Sequence, residues 1–182
     1  MKMKELVKEW LIPLAIALLI ALLLKRFILF IAYVPTESME PTVMPGERLL
    51  ITRIYKPEKL KRGDIVVFNF EETDTVLIKR LIGLPGDRVK IIEGVLYING
   101  DEVPEPYVEN EDIQTHFDGE EIVVPDNAYF FLGDNRTASM DGRYWFYPFV
   151  QEKDIIGIAR FTIFPFNKIR LLNNARSTLN SP

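Results

Sequence analysis

The sequence predicts a mainly β domain, built from antiparallel sheet, on a single apolar helix at the N-terminus. Three observations support this prediction: an uncharged apolar run near the start, a series of branched and aromatic segments after it, and turn residues between those segments. The 182 residues suffice for one domain with a real core plus a short appendage. The sequence contains no internal repeat or low-complexity tract, so we expect one folded domain.

The apolar run covers residues 10–24, WLIPLAIALLIALLL, and is followed by Lys25, Arg26 and FILFIAYV. Its fifteen residues span roughly 22 Å as a helix, short of the ~30 Å of a bilayer core. An extension to about residue 30 makes a crossing feasible, because Lys25 and Arg26 can reach the headgroups. We therefore predict a membrane anchor at 10–30, a short tail at 1–9 and a folded domain at 31–182.

Two other interpretations of the apolar run fit less well. A cleaved signal peptide needs small residues at a cleavage site after the run, and LLLKRFILF offers none. A buried core helix is usually amphipathic, whereas this run is apolar on all sides. The orientation of the anchor stays open, because bases flank both of its ends.

Charge and composition exclude several function classes. Residues 1–34 have a net charge of +3, which leaves −7 for the rest of a chain whose total is −4. An acidic body fits nucleic acid poorly, so we expect no nucleic-acid partner. The absence of cysteine excludes disulfides, thiol catalysis and cysteine-ligated zinc. His116 is the only histidine and lies in a polar stretch, which predicts a surface position and leaves little material for Ser-His-Asp catalysis or a histidine-ligated metal.

The body of the chain has the pattern of β-strands. Branched and aromatic residues are concentrated in RLLITRI, DIVVFNF, TVLIKRLIGL, RVKIIEGVLYING, YFFLGD and IIGIARFTIF, which cover 48–54, 64–70, 75–84, 88–100, 129–134 and 155–164. Turn residues separate these segments, and Glu93–Gly94 is the predicted turn of a hairpin. The acidic segment from Glu105 to Glu121 is predicted to be an exposed loop.

Residues 33–50, YVPTESMEPTVMPGERLL, form a stiff segment around Ser38. Three prolines and a glycine exclude a long helix or a central strand there. Ser38 has two possible roles from the residues alone. Its hydroxyl caps a local turn, or it is a nucleophile whose base is not histidine, which leaves a carboxylate or a neutral lysine.

Lys79 is the lysine that differs from the others, because it interrupts an apolar strand. Period-two alternation puts it on one face with Leu77 and Leu81, while Ile78 and Arg80 share the other face. An ammonium between two leucines is either an edge charge that reaches solvent or a desolvated amine. Only the desolvated amine serves as a base, and Arg80 cannot, because a guanidinium keeps its proton.

Residues 132–145, LGDNRTASMDGRYW, form the third dense polar stretch. Taken alone, the stretch has the composition of a turn-rich surface loop whose ion pairs contribute little stability. Its match to a glycosylation sequon at Asn135 is a short pattern of little weight. Its charged and small polar residues are Asp134, Arg136, Thr137, Ser139, Asp141 and Arg143.

Taken together and in their order along the chain, the motifs are more informative than any one of them alone. After the apolar anchor, the chain contains SMEPT, GDIVVF, IKRLIGLPGD and GDNRTASMDGR in this order. This arrangement closely resembles bacterial type I signal peptidases, the membrane-bound serine proteases that remove signal peptides from exported proteins. The resemblance runs from the anchor to about Arg143 and continues more weakly through FPFNKI. It implies a signal-peptidase-like β fold, which self-cleaving repressors share.

The resemblance implies a Ser-Lys dyad, with Ser38 as the nucleophile and Lys79 as the general base. It places the hydroxyl of Thr36 and the backbone N–H of Ser38 in the oxyanion hole, and it gives Ser139 the role of orienting the lysine. Prolines at 35 and 41 would then hold the nucleophile and the oxyanion donor in one conformation. The supporting residues by resemblance are Arg80, Asp134, Arg136, Asp141 and Arg143.

The resemblance also implies location and substrate. It predicts an N-terminus inside the plasma membrane, one span, a catalytic domain outside, and no cofactor. The expected partners are preprotein signal peptides, membrane lipid and the protein export machinery. Cleavage is expected after Ala-X-Ala, in shallow pockets whose candidate lining residues are Val34, Met39, Val43 and Ile78. The aromatic residues expected at the membrane interface are Trp145, Phe146, Tyr147 and Phe149.

Three positions depart from the common family pattern: Leu77 is often tyrosine, Gly142 is usually serine, and Phe146 is often glycine.

Two rival classes of protein fit the chain less well. A self-cleaving repressor needs a DNA-binding N-terminal domain, where this chain has an apolar run. A non-enzymatic membrane-tethered β domain remains open, and it predicts that replacing Ser38 with alanine preserves function.

Overall fold

The computed structural model describes residues 5, 7–109 and 119–172. A π-helical turn, Val7–Leu11, leads into helix α1, Ile12–Phe27. Together they form a 21-residue helical segment with exposed side chains and a mean hydropathy of 2.2 over its most apolar part, long and apolar enough to cross a membrane. Pro13 is the second residue of α1 and follows the π-helical turn directly.

The helix ends earlier than the predicted anchor at 10–30. Leu29 and Phe30 belong to strand β1, Leu29–Tyr33, which pairs antiparallel with β2, Arg48–Arg53. The backbone of this aromatic and branched segment is satisfied by β2 rather than by another helical turn. Tyr55 Oη also donates to the Phe27 carbonyl at 2.7 Å. The apolar helix therefore continues directly into the sheet.

The remaining described strands confirm the predicted antiparallel β class. They are β3 (Ile65–Phe70), β4 (Thr75–Gly83), β5 (Arg88–Ile92), β6 (Val95–Ile98), β7 (Asp101–Glu102), β8 (Glu121–Val123), β9 (Ala128–Leu132), β10 (Phe149–Gln151), β11 (Ile155–Phe164) and β12 (Arg170–Leu171). The larger sheet has the order β1-β2-β11-β3-β4-β9-β10, with β12 beside β11, and the smaller sheet has the order β7-β6-β5-β8. The predicted hairpin turn at Glu93–Gly94 is present, and both residues have positive φ.

The predicted exposed loop from Glu105 to Glu121 is wrong at both ends. The side chain of Glu105 is 8% exposed and pairs with Arg136, and Glu121 begins β8. Acids at a loop tip are usually solvated, but a buried arginine supplies a partner here. His116 lies outside the described residues, so its surface position stays a prediction.

Three apolar clusters form the core, and two of them surround the segments of interest. One contains Val34, Met39 and Val43, packed with strands β2, β3 and β11. Another contains Trp145, one of the aromatic residues expected at the membrane interface. Trp145 is 7% exposed and its ring packs 4.5 Å from that of Phe70, so that prediction is wrong.

The other three predicted interface aromatics differ from Trp145. Phe146 is 98% exposed and Tyr147 is also exposed, while Phe149 is half-buried against Phe130. The loop after Asp141 therefore turns one aromatic side chain into the core and presents the next two to the surface.

Candidate active site

Ser38 lies in a loop between β1 and β2 whose two ends are hydrogen-bonded to each other. The Val34 N–H donates to the Glu47 carbonyl at 3.0 Å, and the Gly46 N–H donates to the Val34 carbonyl at 2.8 Å. Met39, directly after Ser38, is buried in the core. Full burial of such a side chain stabilises by about 1.5–3 kcal/mol, so the loop is fixed at its base and at its centre.

The loop brings Thr36 and Ser38 together, as the sequence predicts. Their hydroxyl oxygens lie 3.4 Å apart. The Ser38 carbonyl accepts a hydrogen bond from the Asn135 N–H at 3.2 Å, which ties the loop to the segment after β9. Gly133 makes this approach possible, because a Cβ there would collide with both Ser139 and the Ser38 carbonyl.

Lys79 is buried in β4, opposite Val66 of β3, with 3% of its surface exposed. It is therefore a desolvated amine and not an edge charge. Burial lowers the pKa of Lys79 from 10.5 to about 8, the nearby charge of Asp141 acts to raise it, and that of Arg143 acts to lower it. An amine with this pKa is partly neutral near physiological pH.

One cavity of about 420 Å³ contains both Ser38 and Lys79 in its lining. The hydrogen bonds of the described residues do not include one between Ser38 Oγ and Lys79 Nζ. Catalytic hydrogen bonds often shorten only when substrate is bound. What the structure shows is that the Ser38 and Lys79 side chains line the same cavity. The walls are mainly apolar and include Phe30, Ala32 and Leu77, of which Leu77 is one of the departures from the family pattern.

Three of the four predicted pocket residues line this cavity: Val34, Met39 and Ile78. Val43 is the exception, and its prediction is wrong. Its side chain is fully buried in the core, because the Val43 N–H bonds back to the Met39 carbonyl at 2.8 Å and turns the chain inward. Val43 was predicted to line the pocket only because it lies close to Ser38 in the sequence.

Arg80, the residue after Lys79, forms a buried ion pair with Asp134. Arg80 Nε lies 2.7 Å from Asp134 Oδ1, Arg80 Nη2 lies 2.5 Å from Oδ2, and Arg80 Nη1 donates to the Gly63 carbonyl at 3.0 Å. The two side chains are 1% and 0% exposed. Loss of one partner of such a pair costs about 3–5 kcal/mol, because the other charge stays buried without compensation.

Asp141 and Arg143 form a second buried pair beside the first. Asp141 Oδ2 also accepts the Gly133 N–H at 2.9 Å, and Arg143 Nη2 donates to the Arg136 carbonyl at 2.7 Å. Arg136 in turn donates from Nε to the Gly133 carbonyl at 3.0 Å. The charged side chains of residues 132–145 thus form a buried polar network, although Thr137 and Met140 are exposed, so the interpretation of these charges as those of a surface loop is wrong.

Two small residues of this network have particular surroundings. Ser139 is buried, and its hydroxyl has no hydrogen-bond partner among the described residues. Gly142, where the family usually has serine, packs against Phe130 and Pro148. A Cβ at Gly142 would lie 2.5 Å from the Phe130 ring and 2.9 Å from the Pro148 carbonyl oxygen, so a larger residue there would require these neighbours to shift in this chain.

Sequence reasoning missed two residues that cover the network. Arg136 Nη2 lies 2.6 Å from Glu105 Oε1, and the Tyr107 hydroxyl donates to the same oxygen at 2.6 Å. The Tyr107 ring lies 3.9 Å from the Arg80 guanidinium, and burial raises its phenol pKa well above the usual value. Both residues come from an acidic segment outside every motif, so no local signal identified them.

A hydroxyl and a buried amine of lowered pKa in one apolar cavity are typical of serine hydrolases that activate the nucleophile without histidine. The described residues include no group of three or more His, Cys, Asp or Glu side chains placed to hold a metal ion.

Comparison with known proteins identifies the class more closely. The family model described as "Signal peptidase, peptidase S26" matches residues 7–164. The chain is 39% identical over 170 residues to "Signal peptidase I" of Bacillus licheniformis, covering 89% of this chain and 91% of that protein. It is 40% identical over 177 residues to "Signal peptidase I P" of Bacillus subtilis subsp. natto, covering 93% and 95%. "Signal peptidase IB" of Staphylococcus aureus (strain MRSA252) is 34% identical, covering 98% and 100%.

A crystal structure of a signal peptidase I from Enterococcus faecalis V583 matches 55% of this chain and 96% of that chain, with 33% identity and a TM-score of 0.46. The chain belongs to the signal peptidase family, peptidase S26, and is a serine endopeptidase of the signal peptidase I type. Its family and its one apolar N-terminal helix indicate a membrane-anchored protein.

Proposed function

We propose that this chain hydrolyses the signal peptide from exported preproteins, with Ser38 as nucleophile and Lys79 as general base. The observation that carries the proposal is the lowered pKa of Lys79, about 8, in the cavity that Ser38 also lines. At pH 7 such an amine is neutral in about one molecule in ten, compared with fewer than one in a thousand for a lysine of pKa 10.5. Burial thereby supplies the base that a chain with one histidine otherwise lacks.

The chemistry follows from these groups. Neutral Lys79 takes the Ser38 proton as the hydroxyl oxygen attacks the scissile carbonyl carbon, and the carbonyl oxygen becomes an oxyanion. The Thr36 hydroxyl and the Ser38 backbone N–H donate to that oxyanion. Protonated Lys79 then gives its proton to the leaving amine, so the peptide bond breaks and an acyl-enzyme remains. Water, deprotonated by Lys79, releases the signal peptide and restores Ser38.

The surrounding network keeps these groups in place. The unpartnered Ser139 hydroxyl is available to accept a hydrogen bond from Lys79 Nζ, which orients the amine. Asp141 accepts the Gly133 N–H and Arg136 donates to the Gly133 carbonyl, so these two residues fix Gly133 where Ser139 and the Ser38 carbonyl approach it. Arg143 pairs with Asp141, and Arg80 pairs with Asp134, the residue after Gly133. Preorganisation of this kind is worth large factors in rate, because a displacement of ~1 Å can cost about a hundredfold.

Substrate specificity for Ala-X-Ala is part of the proposal. Val34, Met39 and Ile78 fill the wall around the proposed dyad, and a small side chain fits beside them better than a large one. A preprotein whose last alanine before the cut is changed to phenylalanine is expected to resist cleavage. Equal cleavage of the two preproteins would contradict this specificity and leave the peptidase assignment intact.

A membrane location is supported by an apolar row next to the helix. Cross-strand pairing aligns Ile31 with Leu50, Leu50 with Phe161, and Phe161 with Leu171. Ile31, Phe161 and Leu171 are exposed, and β1 follows α1 almost directly. We place this row against membrane lipid, with the N-terminus in the cytoplasm, one span, and the catalytic domain outside, where preproteins leave the export machinery.

The test is cleavage of a preprotein by the full-length protein in detergent, with identification of the new N-terminus. Ser38→Ala is expected to abolish cleavage, whereas Thr137→Ala, an exposed hydroxyl in the last motif, serves as the matched control and is expected to cut normally. A Ser38→Ala protein that cuts like the parent would contradict the proposal and favour a non-enzymatic tether.

A further inference from the structure

Glu47 and Arg170 form an ion pair that lies outside the proposed dyad. Arg170 Nη1 lies 2.8 Å from Glu47 Oε1, and Arg170 Nη2 lies 2.9 Å from Glu47 Oε2. The Glu47 side chain is 2% exposed, and Thr162 Oγ1 donates to it at 3.2 Å. A carboxylate this deeply buried needs its partner, because an unpaired charge there is costly.

Arg170 also reaches the loop that contains Ser38. Its Nη2 donates to the Thr42 carbonyl at 2.8 Å. The hydroxyl oxygen of Thr42 accepts a hydrogen bond from Arg80 Nη2 at 3.3 Å. Thr42 is therefore held between an arginine next to Lys79 in β4 and an arginine of β12.

The C-terminal segment also packs under the same loop. Leu172 is 4% exposed and belongs to the core cluster that contains Met39 and Val43. The loop that contains Ser38 is thus held by the apolar contact of Leu172 and by the hydrogen bond from Arg170 to the Thr42 carbonyl. Arg170 and Leu172 both lie beyond residues 7–164, where the family model matches.

We infer that Arg170, fixed by Glu47, is a positioning residue that sets the Ser38 loop against the strand bearing Lys79. This inference rests on the proposed function. Arginine suits the position because its planar fork serves both Glu47 oxygens and the Thr42 carbonyl at once. A lysine at this position keeps the positive charge near Glu47 but lacks the planar fork. The Arg170→Lys variant therefore separates the contribution of the charge from the contribution of the hydrogen-bond geometry.

The experiment compares the parent, Arg170→Lys and Arg170→Met as full-length proteins in detergent, with the preprotein assay and thermal unfolding. Arg88→Met is the matched control, since Arg88 pairs with Glu121 and the two side chains are 57% and 41% exposed. Arg170→Lys is expected to melt near the parent, while kcat falls by about tenfold or more and KM changes little. The pH midpoint of its activity should equal that of the parent, because Arg170 is not among the charges that shift the pKa of Lys79.

The remaining outcomes are also decisive. Arg170→Met is expected to lose both stability and turnover, and Arg88→Met neither. A folded Arg170→Lys whose kcat lies within about twofold of the parent would overturn the inference. A parent that cleaves no preprotein would overturn the proposed function and the inference with it. A parent that cleaves while all three variants cleave equally well would overturn the inference alone.

Discussion

Asp141 pairs with Arg143 through both carboxylate oxygens: Arg143 Nε lies 2.8 Å from Asp141 Oδ1, and Arg143 Nη2 lies 3.0 Å from Asp141 Oδ2. The two charges act on Lys79 in opposite directions, since Asp141 raises its pKa and Arg143 lowers it. Their close pairing makes these two effects partly cancel. Burial, the largest cause, therefore decides the pKa of the amine.

The first prediction concerns the pH dependence of cleavage. A general base works in its neutral form, so kcat/KM is expected to rise with pH through a midpoint near the Lys79 pKa of about 8 and to level above it. The measurement is kcat/KM for one preprotein across this range, with separate unfolding curves to exclude denaturation. A midpoint near the ordinary lysine value of 10.5 would mean that Lys79 is not the group that titrates.

The second prediction concerns the stability of the parent, which is expected to rise with pH, as its activity does. Because the folded-state pKa of Lys79 lies below its ordinary 10.5, the folded state disfavours the proton. The resulting penalty is fully present below pH 8 and is relieved as pH rises from about 8 to 10.5. Lys79→Met removes the charge and is expected to be inactive but more stable at pH 7 by about 3 kcal/mol.

Thermal unfolding at pH 7 and near pH 10 checks that prediction, because the advantage of Lys79→Met over the parent should shrink at the higher pH. Lys59→Met, an exposed lysine, is the control and should change little at either pH. A Lys79→Met protein that melts below the parent at pH 7 would show that the amine stabilises the fold instead.

The third prediction concerns Glu105, which pairs with buried Arg136. Glu105→Ala leaves that guanidinium without its carboxylate, so the free energy of unfolding is expected to fall by about 3 kcal/mol. Glu71→Ala breaks the pair with Lys153, whose side chains are 65% and 67% exposed, and should cost less than about 1 kcal/mol. Equal losses in the two variants, measured by denaturant unfolding, would contradict the distinction between them.

The fourth prediction concerns the boundary between anchor and domain. Deletion of residues 1–26 removes, among the described residues, only exposed helix, and it is expected to leave a folded domain that cleaves substrate in detergent or lipid. Deletion of residues 1–33 also removes β1 and its pairing with β2, so it should destabilise the fold. Circular dichroism compares the two proteins. An unfolded product from the shorter deletion would show that the helix itself supports the domain.

Much of the fold was predictable because local patterns were strong. Long strands such as β4 and β11 have branched runs, and the hairpin at Glu93–Gly94 has a turn that only a few residue pairs form. Strand β1 was missed because FILFIAY suits a bilayer helix and a strand equally. Its pairing with β2, which lies further along the chain, decided the matter. Strands of two or three residues, such as β7 and β12, are too short for any periodic pattern.

The candidate site likewise has residues that were predictable from the sequence and residues that were not. Ser38 and Lys79 stand within motifs that a reader of the sequence can find. Glu105 is 31 residues from Arg136, and Glu47 is 123 residues from Arg170, so no local window contains either pair. Only the folded chain brings these partners together.

The most direct test of the proposed dyad is the turnover of Lys79→Arg. Arginine keeps the positive charge and most of the length, but it cannot release its proton near neutral pH. We expect a folded protein whose turnover is lower by at least ~1,000-fold, with a milder loss for Arg80→Lys as the control. Circular dichroism and thermal unfolding verify the fold of both variants. Near-normal turnover in a folded Lys79→Arg protein would contradict the dyad, because Ser38 would then need another base.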